Sequence, residues 1–341
     1  MLRPGPLNLI TDVDGLLVGN AEDMAARSGV TVVLPEKPAS MAVDLRGGAP
    51  GVRETGALDP DCLVEEFHGL ALAGGSVFGL AAADGVAAWL SEHGRGLALG
   101  PRAVPVVPGA ILFDLTNGGN KDWGDTPPYR QLGRDACAAA GRRFALGNAG
   151  AGLGAQAGAV KGGLGSASIM DDDGVIGALV AVNSFGSPVM PHSTRLWAAT
   201  FELNDEMGDQ RAAAPAPPPA AGRAALDDLG LPLESRLAGN TTLGVIATDI
   251  TLTKAQARRI AIMAQDGLAR ALRPAHTPYD GDVVFVLSTG ARALGSAATP
   301  GPMALAKLGT LAADCLARAI GRAIHHAQSL GDIPAYRAPS P

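Results

Sequence analysis

Aromatic residues are scarce, at 4% of 341 positions, and there are only three cysteines. Cys62, Cys137 and Cys315 are far apart and odd in number. They build neither a disulfide framework nor a Cys-x-x-Cys metal pair, and read as small core residues in a reducing compartment. An excess of positive charge is also lacking. Lys and Arg number 27 against 33 Asp and Glu, for a net charge of -6 with no basic stripe, which argues against nucleic acid as a partner. The first residues, Met1 to Pro6, lack the apolar region of a signal peptide. The longest apolar run, Phe67 to Leu90, carries His68, Asp84 and several glycines. It reads as a buried helix, because a membrane span holds more Leu and Ile and fewer polar groups. The expectation is a cytoplasmic protein with no membrane partner, no cofactor and no metal.

What is present is small and apolar. Hydrophobic residues make up 47% of the chain, and 46 glycines accompany them, enough for a sizeable core of closely packed elements. Residues 8–20 alternate apolar and polar around Asp14-Gly15, a hairpin signal. Short β runs follow at Gly29 to Leu34 and Ala42 to Leu45, the second ending in a glycine-rich turn with Arg46 and Arg53. That turn suits close approach to a substrate or a neighbouring subunit, or is simply a long turn. Leu63 to Glu92 reads as one or two helices, Pro105 to Leu115 as a strand with proline at its start, and Asp135 to Ala140 as helical. Gly147 to Gly165 has GxGxxG-like spacings, with Asp171-Asp172-Asp173 at the distance of a Rossmann acid. A Gly-Gly pair interrupts the required helix, so a glycine backbone lining a narrow site is the better reading. Gly174 to Asn183 is a buried strand. Its terminal Asn183 is either a hydrogen-bond donor for a site or a turn residue.

The stretch Ala238-Gly239-Asn240-Thr241-Thr242-Leu243 carries the functional argument. A Pro/Ala-rich segment of about 205–235, expected to be mobile, runs up to it. A strand over Leu243 to Ile250 leaves it. A cut between Asn240 and Thr241 leaves a threonine bearing both a hydroxyl nucleophile and a free amine to serve as its base. The plain alternative is a β-branched residue at a strand entrance. Thr253 and Gln256 form a capping box for a helix to about Leu272, with Ala257, Ile260, Ala261, Ala264 and Leu268 on its apolar stripe. A polar turn, His276 to Asp282, precedes a β run over Val283 to Thr289. Leu305 to Gln328 reads as a final amphipathic helix. Its adjacent His325 and His326 face different directions and suggest no metal site.

These pieces resemble the DmpA-type self-processing aminopeptidases, the L-aminopeptidase/D-esterase family, whose relatives include β-peptidyl aminopeptidases and nylon-oligomer endohydrolases. The resemblance is carried by Ile10 to Leu16, Asp44 to Gly51, Gly74-Gly75-Ser76, Ala149 to Gly152, Lys161-Gly162-Gly163, Ala238 to Thr242 and Asp280-Gly281-Asp282. It implies an α+β fold, a four-layer αββα sandwich, in one catalytic domain spanning 1–341. It also implies self-cleavage into an α chain, 1–240, and a β chain, 241–341. Thr241 is then the nucleophile, Asn183 the oxyanion donor, Lys161 a positive charge nearby, and Asp280 and Asp282 the acidic pair that orients the new amine. Phe113 stands where characterised relatives carry a tyrosine. The implied function is an aminopeptidase, amidase or esterase that releases N-terminal residues from short peptides or amino-acid amides, assembled as a homo-oligomer of αβ units. Three alternatives stand beside it: an endohydrolase of 6-aminohexanoate oligomers, an acyltransferase resembling ornithine acetyltransferase, and an uncleaved binding protein.

Overall fold

A computed structural model describes residues 2–210, 239–296 and 299–337. In chain order it contains β1 (Leu16–Asp23), β2 (Ser28–Pro35), β3 (Ser40–Leu45), β4 (Gly51–Arg53) and β5 (Leu70–Ala73). Next come α1 (Ala81–Glu92), β6 (Gly109–Ile111), α2 (Tyr129–Ala138), a short ribbon of β7 (Gln156–Ala157) and β8 (Val160–Lys161), β9 (Gly163–Met170) and β10 (Val175–Asn183). Beyond the Pro/Ala-rich segment follow β11 (Thr241–Ile250), α3 (Lys254–Ala271), β12 (Val283–Arg292) and α4 (Gly301–His326).

Two five-stranded sheets form, in the orders β1-β2-β5-β6-β4 and β3-β12-β11-β10-β9. Their strands sort side chains by the period of two that a pleated backbone imposes. On β11, Leu243, Val245 and Ala247 enter the core between the sheets, where Leu70, Leu72 and Phe285 meet them. Ile246, with Val284 and Val286 of β12, faces the other way, onto Ile260, Leu268, Leu316 and Ile320 of α3 and α4. The outer face of the first sheet is covered by α1 and α2 through Val86, Leu90, Leu132 and Ala136. The layers therefore run helix, sheet, sheet, helix, as the resemblance implies. Scarce aromatics are offset by close backbone approach. Added methyls at Gly85 or Gly133 would lie 1.9 Å and 2.3 Å from carbonyl oxygens of the facing helix, so α1 and α2 cross where neither has a side chain. Among the described residues no helix is long and apolar enough to cross a membrane.

Several sequence readings change. Residues 8–20 are not a hairpin: Ile10–Asp12 is a single 3-10 turn, and β1 pairs with β2 instead. The Phe67 to Leu90 run is not one helix. It opens with β5, all four residues of which are buried, and bends at Gly75 before α1. An interior strand and a buried helix give the same uninterrupted apolar pattern. The strand read over Pro105 to Leu115 shortens to Gly109–Ile111, and the last helix starts earlier, at Gly301, with proline in its first turn. The capping box at Thr253 forms as read.

The expected mobile tail lies outside the described residues from 211 onward, but 205–210 is anchored. Glu206 meets Arg318 at 2.5 Å, with both side chains at least 95% buried, and Arg322 at 3.7 Å. Asn8 and the Ser168 carbonyl complete this network. Removing one member leaves uncompensated charge in the interior. Glu206→Ala is therefore expected to lower unfolding free energy by about 3–5 kcal/mol, read from urea denaturation. A loss below about 1 kcal/mol would mean that the two arginines re-solvate.

Candidate active site

Asn183 ends β10 and Thr241 opens β11, and the two are direct cross-strand partners. Asn183 stands two residues beyond Ala181, and Thr241 two residues before Leu243. Both therefore share the face that looks toward the first sheet. Thr241 is 3% exposed, and its hydroxyl donates to the Asn240 carbonyl oxygen at 2.6 Å. The Gly281 N–H donates to that same oxygen at 2.7 Å, and Asn240 N–H to the Tyr279 carbonyl at 3.2 Å. Gly239 has a positive φ of 67°, and a methyl there would sit 2.4 Å from Phe113 Cβ, so only glycine brings the chain into this corner.

The Asp280-Gly281-Asp282 turn is not solvated. Both carboxylates are 1% exposed. Asp282 accepts from Thr242 N–H at 2.8 Å and from the main-chain N–H and Nδ1 of His276 at 3.0 and 2.9 Å. Asp280 accepts from Phe185 N–H and from the Thr277 N–H and hydroxyl. Burial first, and the neighbouring Asp282 charge second, push the Asp280 carboxyl above its ordinary range. The hydrogen bonds of the pair thus go to residues flanking Thr241 in sequence or space, while Thr241 spends its hydroxyl on Asn240. The arginine-bearing turn is committed to this region: Arg46 and Gly47 N–H groups hold the Asp282 carbonyl, and Ala49 N–H the Asp280 carbonyl.

Asn183 accepts from Gln156 N–H at 2.9 Å and donates through Nδ2 to the carbonyls of Phe113 at 3.0 Å and Gly239 at 3.3 Å. Lys161 is fully buried. Its ammonium donates to the carbonyls of Gly152 and Gly162, each at 3.0 Å. The glycine-rich stretch therefore wraps a lysine, and no helix follows it as a dinucleotide fingerprint requires. The hydrogen bonds of the Lys161 ammonium go to these glycine carbonyls, and that of the Thr241 hydroxyl to Asn240. Burial pushes the Lys161 ammonium down to about 7, only partly opposed by Asp114. The unfolded chain keeps this proton up to about pH 10, while the folded chain releases it above about 7. Stability from this group is thus lowest below pH 7 and rises toward pH 10, by up to about 1.4 kcal/mol per unit. Relative to wild type, Lys161→Met is expected to be at its most favourable near pH 7 and to lose ground by about pH 9. Urea denaturation across that range checks the sign, and a constant difference would contradict it.

Beside Asn183 lies a cavity of about 240 Å³, lined by Arg27, Phe113, Asp114, Asn117, Gln156 and Asp332 among others. Asp114 had no part in the sequence reading. It is 3% exposed, takes hydrogen bonds from Gly75 N–H and the Ser28 hydroxyl at 2.7 Å each, and is pushed upward by burial. A lone acid after the apolar run Ala110 to Phe113 was its only signal. Among the described residues no group of three or more His, Cys, Asp or Glu side chains could hold a metal ion.

Solved structures share the fold. The fold matches the Burkholderia sp. beta-aminopeptidase with TM-score 0.67 and 24% identity, over 96% of this chain and 89% of that one. It also matches the l-aminopeptidase d-ala-esterase/amidase of Ochrobactrum anthropi, a variant of the Ntn hydrolase fold, with TM-score 0.67 and 22% identity, over 95% and 88%. The sequence completes the assignment: peptidase family S58 matches residues 8–334, and the chain belongs to it. An uncharacterized aminopeptidase of Mycobacterium tuberculosis (strain ATCC 25618 / H37Rv) is 47% identical over 347 residues, 97% of each chain. A 6-aminohexanoate-oligomer endohydrolase of Paenarthrobacter ureafaciens is 30% identical over 293 residues, 82% of this chain and 74% of that one. The protein is a hydrolase acting on peptide or amide bonds.

Proposed function

We propose that the chain cuts itself between Asn240 and Thr241, and that the freed Thr241 then hydrolyses short peptides or amino-acid amides from their N-terminal end. The observation that carries this reading is the contact of the Thr241 hydroxyl with the Asn240 carbonyl, 2.6 Å apart in a buried corner. In the self-cleavage, Oγ1 attacks the Asn240 carbonyl carbon, the C–N bond breaks, and water cleaves the resulting ester. The new α-amine has an ordinary pKa of about 8 and takes the hydroxyl proton in later turnovers. Substrate acylates Thr241, and water releases the acid. The cut lets the Gly239–Asn240 end withdraw, which frees Asn183 Nδ2 for a substrate oxyanion. Lys161 supplies a tunable positive charge. Asp282 fixes the Thr241–Thr242 peptide, and Asp280 fixes the turn that faces it.

Intact mass under denaturing conditions and N-terminal sequencing test the cut. Two chains are expected, the smaller beginning Thr-Thr-Leu-Gly-Val. One 341-residue chain in an active preparation would sink the mechanism. A second reading, internal cleavage of 6-aminohexanoate oligomers, is favoured by the 30% identity to an enzyme of that name. A panel of peptides and oligoamides with free and blocked amino ends separates the two, because only the exo-acting enzyme requires the free end.

A further inference from the structure

We infer that self-cleavage and substrate turnover use different oxyanion donors: the main-chain N–H of Gly281 serves the first, and Asn183 the second. The inference rests on the self-cleavage proposed above. Gly281 N–H already points at the scissile carbonyl, 2.7 Å from the Asn240 oxygen. Asn183 Nδ2 does not share that oxygen; its partners are the carbonyls of Phe113 and of Gly239, one residue upstream of the scissile bond. The Lys161 ammonium is spent on Gly152 and Gly162.

The Asp280–Gly281 peptide is held from both sides. The Asp280 carbonyl accepts from Ala49 N–H at 2.9 Å, Asp280 N–H donates to Thr277, and the Asp282 carbonyl is pinned by Arg46 and Gly47 N–H groups. Residue 281 is buried. A donor fixed before charge develops, away from water, is what stabilises an oxyanion most. Its identity as glycine follows from the same geometry. A Cβ at 281 would lie 2.5 Å from Thr241 Oγ1 and 2.8 Å from the Ala49 oxygen, so any side chain pushes the nucleophile off the carbonyl that the N–H holds.

During the cut, the Oγ1–C bond forms and the carbonyl electron pair moves onto the Asn240 oxygen, where Gly281 N–H receives it. The pair returns as the bond to the Thr241 nitrogen breaks, and that nitrogen ends with the hydroxyl proton. Water then adds to the ester and leaves the Asn240 carboxylate and a free Thr241 hydroxyl. No donor on the departing Asn240 end is needed afterward, and Asn183 takes over with substrate.

The test replaces the Gly281 amide by an ester, through glycolic acid incorporated at position 281 in cell-free synthesis, which deletes the N–H without adding an atom. Intact mass is sampled over time, beside wild type and Asn183→Ala, with folding checked by circular dichroism. The ester chain is expected to cut about 10²-fold more slowly or worse. Asn183→Ala is expected to cut within about threefold of wild type yet hydrolyse substrate about 10²-fold more slowly. A folded ester chain that cuts at the wild-type rate overturns the assignment, as does a folded Asn183→Ala chain that stays whole. A wild-type chain that stays whole sinks self-cleavage itself, and the assignment with it.

Discussion

A Thr241→Ala chain is expected to run as one uncut polypeptide and to lose amide hydrolysis by about 10⁴-fold or more. On the proposed mechanism the substitution removes the one atom that attacks in both reactions. It also removes the cut that would expose an α-amine, so nucleophile and base disappear together. Folding is expected to survive, because among the described residues the side-chain hydrogen bond lost is the one to the Asn240 carbonyl, which contributes about 1 kcal/mol. Thr241→Ser keeps a hydroxyl in place and is expected to cut. Denaturing mass spectrometry and kcat/KM on an amino-acid amide read both variants. An alanine variant cut at the same bond would transfer the chemistry to another residue or to a contaminating protease.

The second large effect is expected at Asp282. Its carboxylate collects three N–H donors, a buried one from Thr242 and two half-buried ones from the main chain and ring of His276. Asp282→Ala leaves all three without this partner; the buried Thr242 N–H costs about 1–3 kcal/mol, and the half-buried His276 groups less, since water can reach them. Stability is expected to fall by about 2–3 kcal/mol. Activity of the remaining folded protein is expected to fall by about 10²-fold, because the Thr241–Thr242 peptide is no longer fixed and small misplacements of a reacting group are that costly. Asp282→Asn keeps the volume and one acceptor oxygen and falls between. A destabilised Asp282→Ala protein with full kcat would confine this residue to structure.

Much of this site was legible in the sequence because it is built from a change of pattern. A Pro/Ala-rich stretch gives way at Asn240–Thr241 to a strand-like apolar run that continues through β11. That strand, β10 ending in Asn183 and the capped helix α3 all stand where the pattern put them. What was not legible follows from how strands and main chain encode themselves. β5 is covered on both faces, so its run Leu70–Ala73 carries no alternation to separate it from the helix that follows. Asp14-Gly15 looked like a hairpin turn, yet the partner of β1 came from the next segment, and pairing is decided by the core rather than by the turn alone. The Gly281 N–H has no side-chain signature at all. The depressed Lys161 ammonium follows from its complete burial, which spacing does not announce.

The strand order of the second sheet has a consequence for molecularity. β11 and β12 lie inside that sheet, flanked by β10 and β9 on one side and β3 on the other. Lys254 of α3 also reaches across to the carbonyls of Ala57, Cys62 and Val64. Once the Asn240–Thr241 bond is cut, the second sheet is divided between the two pieces, β3, β9 and β10 on one and β11 and β12 on the other, so the severed chain is expected to melt as one unit. Its recovery is then an encounter between two molecules. Refolding of the processed protein is expected to quicken with concentration and its melting midpoint to rise with it, while the uncut Thr241→Ala chain refolds at a rate indifferent to dilution.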